Sequence, residues 1–412
     1  MLDNDKYIKN GQQVMKSLMR LGKVLLFPLL IMLYSTATVI PKNKKLWLFG
    51  AWNGQNFSDN PKYIFKYILS ERSDIEIFWV TKSYSLYRKM ESSGFPVLYA
   101  WSLKGIFKQV TAGVVIFTHA VSWEFIAPLI ASRVKRTLTW HGIPIKKIGL
   151  DDRLNQKILP KFKSLYTVIF PYKKERIDLI FSASASDQKI YSSAFDVPLD
   201  KVKITGYPRN DKIIESLSKS LFQKTSCKSI IYMPTLRGAA GSSFELFNQG
   251  DWNFSSLDKF FREINCEFHI KLHPAQKIKN KDKHLITNCK SIFLVDAIDD
   301  LYETLYQFDA LITDYSGIYF DFLLTGKPIF ILATDLKEYS SFDREIYYPL
   351  SSLSPQPLCL NMSDLKRQIQ DFVILGSYDY DRYKALQTRF HEFIDANSSR
   401  RAFDAIYDLN FK

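Results

Sequence analysis

The sequence predicts an α/β protein built from two Rossmann-like domains that face a cleft. The chain has 412 residues, which is more than one hydrophobic core usually organises, so two domains are expected. Short apolar runs alternate with amphipathic helical stretches, and they do so in two successive series. This βαβ alternation is typical of parallel sheets whose crossover helices cover both faces.

The first series begins after residue 45. Its apolar runs are rich in β-branched and aromatic residues and predict strands at 45–50, 75–80, 113–119, 136–141, 179–183 and 202–205. Helical stretches between them include 61–71 and 103–111. The second series predicts strands at 229–234, 267–273, 291–295, 310–313 and 328–332, with helical stretches such as 301–308 and 317–324. From Tyr383 onward we expect helices.

A polar stretch at 206–225 marks the change between the two series. We therefore expect a membrane-associating segment at 1–45, an acceptor-binding domain at 46–210 and a donor-binding domain with C-terminal helices at 211–412. The substrate roles in this division come from the family resemblance described below.

An uncharged run from Val24 to Ile40 lies between basic residues on both sides. The run is at the short limit for crossing a bilayer, and Pro28 interrupts it. Basic flanks suit an anionic inner leaflet, so the sequence favours a monotopic anchor. A membrane span, a signal peptide and an ordinary buried helix are the alternatives.

The composition points to an anionic partner. The net charge is +14 and the pI is about 9.3, which suits nucleic acid, anionic lipid or phosphorylated metabolites. No helix-turn-helix, zinc-finger or RNP motif is present, so we expect no nucleic-acid partner. The four cysteines form no CxxC pair and are expected to be free thiols.

The stretch TLTWHGIPIKK places a histidine at the end of a predicted strand. His141 follows an apolar run, and Gly142 and Pro144 end the strand directly after it. Ligands of open α/β sheets collect where strands end, so His141 is a candidate for proton transfer. Lys146 and Lys147 are candidates for attracting an acceptor's phosphates. The alternative for His141 is a histidine that only caps a strand.

Two further stretches of the first domain have features of anion sites. In SDNPKYIF, Asp59 or Asn60 is predicted to cap a helix that starts with Pro61, and free amides at a helix start favour an anion. Ser58, Asp59 and Asn60 are therefore candidate acceptor-binding residues. In GYPRND, Arg209 is a candidate ligand of the donor's phosphate, the alternative being a solvated arginine in a turn.

Strand ends of the second domain carry donors and positive charge. Thr235 and Arg237 in PTLRG, and Lys271 and His273 in KLHP, are candidate contacts to a phosphate. The alternative for His273 is a packed strand-end histidine.

The stretch FDALITDYSGIYFDF combines a strand end with a helix start. Asp314 follows the strand, and Ser316 is predicted to cap a helix that begins at Gly317. A hydroxyl and free amides at a positive helix end form a cradle for a diphosphate. The alternative is helix capping without any ligand.

The motifs WHGIPIKK, GYPRND, PTLRG, KLHP and ITDYSGIYFDF, in this order, resemble the CDP-glycerol glycerophosphotransferase family. The resemblance covers residues 46–335. It implies a GT-B-like fold with an acceptor-binding N-terminal and a donor-binding C-terminal domain. It also implies synthesis of teichoic acid or phosphate-containing capsule polymers at the cytoplasmic face of a bacterial cell membrane, where the enzyme is peripherally attached.

The resemblance also implies a reaction and its participants. A hydroxyl of a lipid-linked saccharide or polyol-phosphate acceptor attacks the β-phosphorus of CDP-glycerol, and CMP leaves. His141 and His273 correspond to the family's essential histidine pair, His141 serving as general base. Ile143 and Gly317 stand where the family usually has threonine and often has serine, so CDP-ribitol remains an alternative donor.

No DxD motif or cluster of metal ligands stands out in the sequence. We therefore expect no tightly bound metal and no cofactor, while a loosely bound Mg²⁺ on the diphosphate stays open. A nucleotide-sugar glycosyltransferase of the same architecture and a non-catalytic membrane-bound subunit of a polymer-assembly complex are the competing functions.

Overall fold

The computed structural model describes most of the chain. The described residues are 27–130, 133–153, 170–174, 176–220, 227–236, 247, 252–273, 276, 278–295, 300–335 and 345–412. Within them lie two parallel sheets with helices packed on their faces. This agrees with the predicted α/β class.

The first sheet has the strand order β3-β2-β1-β4-β5-β6-β7, and every pair is parallel. Its strands are β1 (Asn43–Phe49), β2 (Glu76–Thr81), β3 (Val97–Tyr99), β4 (Ala112–Phe117), β5 (Lys135–Leu138), β6 (Leu179–Ser182) and β7 (Val202–Ile204). Its central strand β4 is buried along its whole length, as expected of a strand covered on both faces. The sequence pattern missed the short edge strand β3.

The second sheet repeats the same winding with the order β10-β9-β8-β11-β12, again all parallel. Its strands are β8 (Lys228–Tyr232), β9 (Cys266–Ile270), β10 (Ile292–Leu294), β11 (Ala310–Thr313) and β12 (Ile329–Ile331). In both sheets the strand order reverses beside the first strand of the unit, at β1/β4 and at β8/β11. Ligand crevices of doubly wound folds open at the carboxyl ends of strands at such points.

Helices cover both sheets, with residues 27–39 forming α1 ahead of the first strand. The others are α2 (Asp59–Glu71), α3 (Tyr84–Ser92), α4 (Leu103–Thr111), α5 (Val121–Glu124), α6 (Ala185–Phe195), α7 (Asp211–Ser220), α8 (Phe254–Glu263), α9 (Asn280–Thr287), α10 (Ile318–Phe322), α11 (Leu350–Leu353), α12 (Met362–Gln370), α13 (Tyr380–Phe390) and α14 (Ser398–Phe411). Side-chain caps fix several starts, as where Ser102 accepts from the Gly105 amide. The stretch predicted as a helix at 301–308 forms two separate 3₁₀ turns instead.

The last helix returns to the first sheet. Phe403 of α14 is buried against Trp47 of β1, with ring centroids 5.5 Å apart. The Asp211 carboxylate accepts hydrogen bonds from the Ser398 and Ser399 amides at the start of α14. A carboxylate suits that positive helix end. The prediction that all C-terminal helices belong to the second domain is therefore wrong for α14.

The N-terminal helix lies against the first domain. Lys42, just beyond α1, donates to the carbonyls of Ala37 and Val110, which ties the end of the helix to α4. Leu29, Met32 and Val39 are exposed. Among the described residues, no helix is both long and apolar enough to cross a membrane. The predicted anchor at Val24–Ile40 lies partly outside the described residues.

We predict that Phe403→Ala destabilises the whole protein by about 3–5 kcal/mol, the usual cost of emptying an aromatic core position. The expected result in urea denaturation is a lower midpoint. Asp404→Ala on the exposed side of the same helix is the matched control and should change stability by less than about 0.5 kcal/mol. Equal, small effects of both substitutions would show that α14 is not part of the first core.

Candidate active site

The candidate site lies where the strand ends of the two sheets meet. From the first sheet come the loops after β1, β4 and β5, and from the second come those after β8, β9 and β11. The two groups of loops touch: a side-chain carbon at Gly317 would lie 3.5 Å from the Ile143 carbonyl oxygen. The segment that follows β11 therefore packs directly on the loop after β5, residues 139–147, which we call the His141 loop.

The His141 loop has an unusual backbone that several side chains hold in place. Trp140 has φ +52° and Gly142 has φ +113°, a left-handed pair on either side of the histidine. Asn60 donates to the Trp140 carbonyl at 3.0 Å, and Tyr191 donates to the Gly142 carbonyl at 2.8 Å. Only glycine fits at 142, because a side-chain carbon there would clash with the guanidinium of Arg209 and its φ is unfavourable for other residues.

Arg209 is a buried link between the two domains. Its Nη1 donates to Asp59 Oδ1 at 2.9 Å and its Nη2 donates to Asp321 Oδ2 at 2.6 Å. Asp321 lies on α10 of the second domain, and Tyr302 packs its ring on the guanidinium at 4.8 Å. Both carboxylate contacts are nearly solvent-free, so the prediction of Arg209 as a phosphate ligand is wrong: its guanidinium is already held by two protein carboxylates.

The predicted acceptor residues at the start of α2 also have structural roles. Asp59 is buried and bonds Arg209 and the Trp52 indole N–H, while Asn60 is fully buried beneath the His141 loop. Neither caps the helix, because α2 begins at Asp59 and its N-cap position is Ser58, which makes no side-chain cap bond. Asp59 and Asn60 therefore do not present free groups to an acceptor, and Ser58 stays a prediction.

Aromatic rings enclose His141. The Trp140 ring centroid lies 4.2 Å from that of His141, and the His119 ring stacks on His141 at 4.7 Å with an interplanar angle of 23°. The Trp52 ring lies 5.8 Å away. Burial, then the nearby His119 and Arg209, lower the pKa of His141 to about 3, although Asp59 opposes the shift. The imidazole is therefore neutral at pH 7 and has a lone pair to accept a proton.

Sequence reasoning missed His119 as a site residue. It directly follows Thr118 after β4, at the reversal point of the first sheet, and this position could have identified it. The sequence pattern extended the strand through residue 119, whereas β4 ends at Phe117. His119 lies at a strand end, next to the loop after β1, and is therefore a candidate site residue for the same reason as His141.

In the second domain, Thr235 and Asp314 contact each other across the reversal point. The Thr235 amide and hydroxyl both donate to Asp314 Oδ1, at 2.8 and 2.7 Å. The Thr235 hydroxyl proton is thus directed at a carboxylate and not at a ligand. Asp314 is buried and shapes the loop after β8, so these two predicted donor-binding residues form a support for the cradle.

The start of α10 differs from the prediction at Ser316. Gly317 occupies the N-cap position, Ser316 makes no side-chain cap bond to the helix, and its carbonyl accepts from the Tyr319 amide. The helix itself has only five residues. Ser316 and Gly317 lie beside the His141 loop, and their role as donor-phosphate contacts stays a prediction.

Lys271 and His273 lie after β9, beside the Thr235 loop. The Lys271 amide donates to the Tyr232 carbonyl at 2.9 Å, which continues the sheet into this loop. His273 is exposed, and partial desolvation followed by the Lys271 charge lowers its pKa. Their donor roles stay predictions, and Arg237 lies outside the described residues.

Lys146 and Lys147 join the two domains. Lys146 forms an antiparallel bridge with Ile346, and Lys147 pairs with Glu345 at 2.5 Å. The Tyr347 amide donates to the Ile145 carbonyl at 2.8 Å. Lys147 already has a carboxylate partner at the surface, and the predicted roles of Lys146 and Lys147 as acceptor-phosphate contacts stay predictions. Among the described residues, no group of three or more His, Cys, Asp and Glu side chains converges on a metal site.

The fold is that of a GT-B-like protein, in which the loop of one sheet that contains His141 packs on the segment after β11 of the other sheet. Solved structures support this architecture. The wall teichoic acid polymerase TagF aligns with a TM-score of 0.69 over 96% of this chain and 97% of that chain, at 21% identity. A UDP-GlcNAc 2-epimerase from Neisseria meningitidis aligns with a TM-score of 0.53 over 88% of this chain and 99% of that chain, at 11% identity.

The chain belongs to the CDP-glycerol:poly(glycerophosphate) glycerophosphotransferase family, whose model matches residues 32–408. A teichoic acid glycerol-phosphate transferase of Staphylococcus aureus is 28% identical over 91% of this chain and 96% of the relative. A teichoic acid poly(glycerol phosphate) polymerase of Bacillus subtilis is 25% identical over 84% of this chain but only 46% of its own length. The resemblance carried by the motifs is thereby confirmed.

We predict that Arg209→Ala destabilises the protein by about 3–5 kcal/mol, because it leaves two buried carboxylates without a cation. Thermal and urea denaturation measure the loss. The control is Arg88→Ala, whose partner Glu91 is also at the surface and whose loss should cost less than about 1 kcal/mol. A stable Arg209→Ala variant with a raised KM for a phosphorylated donor would instead restore Arg209 as a ligand.

Proposed function

We propose that the protein transfers glycerol phosphate from CDP-glycerol to a hydroxyl of a membrane-linked acceptor during synthesis of a teichoic-acid-like polymer. The observation that supports this most directly is the half-buried, neutral His141, on a loop that packs against the strand-end loop of the opposite sheet, in a chain that belongs to this family. Solved structures of the TagF polymerase include one soaked with CDPG.

The chemistry is a phosphoryl transfer. The acceptor oxygen forms a bond to the β-phosphorus of the donor, the bond from that phosphorus to the bridging oxygen breaks, and CMP leaves with the electron pair. His141 accepts the proton of the attacking hydroxyl. Binding of the donor's negatively charged diphosphate would raise the low pKa of His141, because an anion favours the imidazolium form.

Lys271 supplies positive charge in the second domain, and His273 and a backbone amide supply hydrogen-bond donors. Lys271 and His273 follow β9 and would approach the phosphates from the side opposite His141. The amide of Gly317 lies next to the His141 loop and would donate to a phosphate oxygen. Pre-placed donors of this kind stabilise a transition state without reorganisation.

Glycerol is favoured over ribitol as the transferred alditol. The S. aureus glycerol-phosphate transferase aligns over nearly the whole of both chains. The glycerol-phosphate primase of Bacillus subtilis and the ribitol-phosphate primase of Bacillus spizizenii align almost equally, both at 26% identity, over 66% and 65% of this chain. CDP-ribitol is therefore the second donor to test, and a capsule polymer is the second product class.

We predict that His141→Ala lowers transfer by about 10²–10⁴-fold, the usual effect of removing a general base, and leaves CDP-glycerol affinity nearly unchanged. CMP release by the full chain, with CDP-glycerol and a lipid-linked acceptor, measures turnover. Calorimetry of the same preparations measures affinity.

The matched control is His284→Ala, an exposed histidine on α9 that should leave both quantities unchanged. A His141→Ala variant with a lowered melting temperature and near-normal turnover would make His141 a structural residue. Release of UDP or GDP from a nucleotide sugar would support a glycosyltransferase instead.

The membrane part of the proposal places the protein on the cytoplasmic face of a bacterial cell membrane. Supporting observations are the net charge of +14 and the exposed apolar side chains of α1. Leu29 and Met32 are 45% and 58% exposed, although both are apolar. A helix with such a face, next to basic residues, suits a monotopic contact with anionic lipid.

We predict that the double substitution Leu29→Glu and Met32→Glu reduces co-sedimentation of the full chain with vesicles that contain anionic lipid. Added negative charge weakens attraction to the lipid surface, and burial of apolar surface in the interface is lost. Leu199→Glu is the control, because Leu199 is 46% exposed but lies on the loop before β7. Unchanged sedimentation of the double variant would refute the anchor.

A further inference from the structure

Three near-parallel aromatic rings, those of Trp123, His119 and His141, follow one another from the protein surface inward. Trp123 and His119 lie 5.4 Å apart with an interplanar angle of 24°, and His119 and His141 lie 4.7 Å apart at 23°. Trp140 lies 4.2 Å from His141 and 6.1 Å from His119, so it contacts His141 beside this series and not on the face opposite His119. The ring of His119 is thus the layer that packs on one face of the proposed base.

Polar neighbours fix the orientation of His119. Its Nδ1 lies 2.8 Å from the Thr118 hydroxyl and 3.5 Å from a carboxylate oxygen of Glu124. The Thr118 hydroxyl donates to that carboxylate at 2.9 Å and accepts from the Trp52 amide at 3.1 Å. Because the Thr118 hydroxyl proton is donated to Glu124, the Thr118 oxygen can only accept a hydrogen bond from His119. The Nδ1 atom of His119 therefore carries a proton. Glu124 is fully buried, so this arrangement is rigid.

His141 lacks comparable fixation. Its Nδ1 is buried and has no hydrogen-bond partner in the described part of the chain. A histidine base usually has a carboxylate or carbonyl on the nitrogen opposite the reacting one, which sets its ring orientation and tautomer. Here the nearby carboxylate, that of Glu124, lies beside His119 and not beside His141. The orientation of His141 therefore depends on the rings that pack against it.

We propose that His119, held by Thr118 and Glu124, is a positioning residue that orients the His141 ring by stacking. This inference rests on the proposed role of His141 as general base. His119 acts through His141 and needs no contact with the substrate.

The charges around His141 agree with this role. The nearby His119 and Arg209 lower the pKa of His141, while Asp59 raises it. Glu124 faces His119 from α5, and Lys82 binds the Ser122 and Trp123 carbonyls of the same helix. Removing the His119 imidazole deletes one of the two groups that lower the pKa of His141, so this pKa is expected to rise.

The experiment separates the ring of His119 from its charge. His119→Phe keeps a stacking ring, and His119→Ala removes it. In the full chain, His119→Ala should lower kcat roughly tenfold or more and leave the KM for CDP-glycerol within about twofold. His119→Phe should retain most of kcat at neutral pH, and the acid limb of its kcat/KM profile should move to higher pH.

Glu124→Gln tests the support of His119. It should lower kcat in the wild-type background and have little further effect in the His119→Phe background, because the group that Glu124 holds is then absent. Equal losses in both backgrounds would mean that Glu124 acts only on stability and would overturn its part in the proposal.

The pKa of His141 can also be measured without substrate, so this test of the inference does not depend on turnover. NMR titration of His141, assigned by comparison with His141→Gln, should give a higher pKa in His119→Phe than in the wild type. An unchanged pKa of His141 together with an unchanged kcat in both His119 variants would overturn the proposal. If wild-type protein released no CMP from CDP-glycerol, the proposed function would fail, while the titration would still decide whether His119 controls His141.

Discussion

The salt bridges of Arg209 with Asp59 and Asp321 are the constraint on which the rest of the site depends. One guanidinium joins the start of α2, the loop after β7 and helix α10, so it connects both domains at the base of the cleft. The same group occupies the space that Gly142 leaves open under the His141 loop. Two buried carboxylates face one cation, and burial raises the pKa of Asp321 in spite of the arginine. A buried network of this kind is costly to break and fixes geometry more than it adds stability.

The two halves of the candidate site have different electrostatic surroundings. The first domain packs aromatic rings against the half-buried His141, and desolvation keeps the imidazole neutral. The second domain offers the more exposed His273 and the charge of Lys271. A neutral base on one side and a cation on the other suit an attack by an uncharged hydroxyl on an anionic phosphate. The proposed reaction therefore matches the polarity of the cleft.

Much of the fold follows from sequence pattern, whereas the roles of single polar residues do not. Alternating apolar runs located eleven of the twelve described strands to within a few residues, because fully buried parallel strands are nearly continuous apolar runs. His141, Thr235, His273 and Asp314 do lie just after strand ends, as the pattern predicted, while their roles stay predictions. Pattern could not reveal that Arg209 is paired, since its partner Asp321 lies 112 residues away. The same holds for Lys147 and Glu345, which meet only after the two domains have docked.

The return of α14 to the first sheet has a consequence for how the chain folds during synthesis. Residues 398–411 contribute part of the core of the first domain. The amides of Ser398 and Ser399, at the start of this helix, donate hydrogen bonds to the Asp211 carboxylate. During synthesis the first domain therefore remains open along the face that α14 covers until residues 398–411 have emerged from the ribosome. Domains of most multidomain proteins fold in order from the N-terminus. Here the first domain needs a helix from beyond the second sheet to complete its core, so a chain interrupted before residue 398 leaves apolar sheet surface exposed.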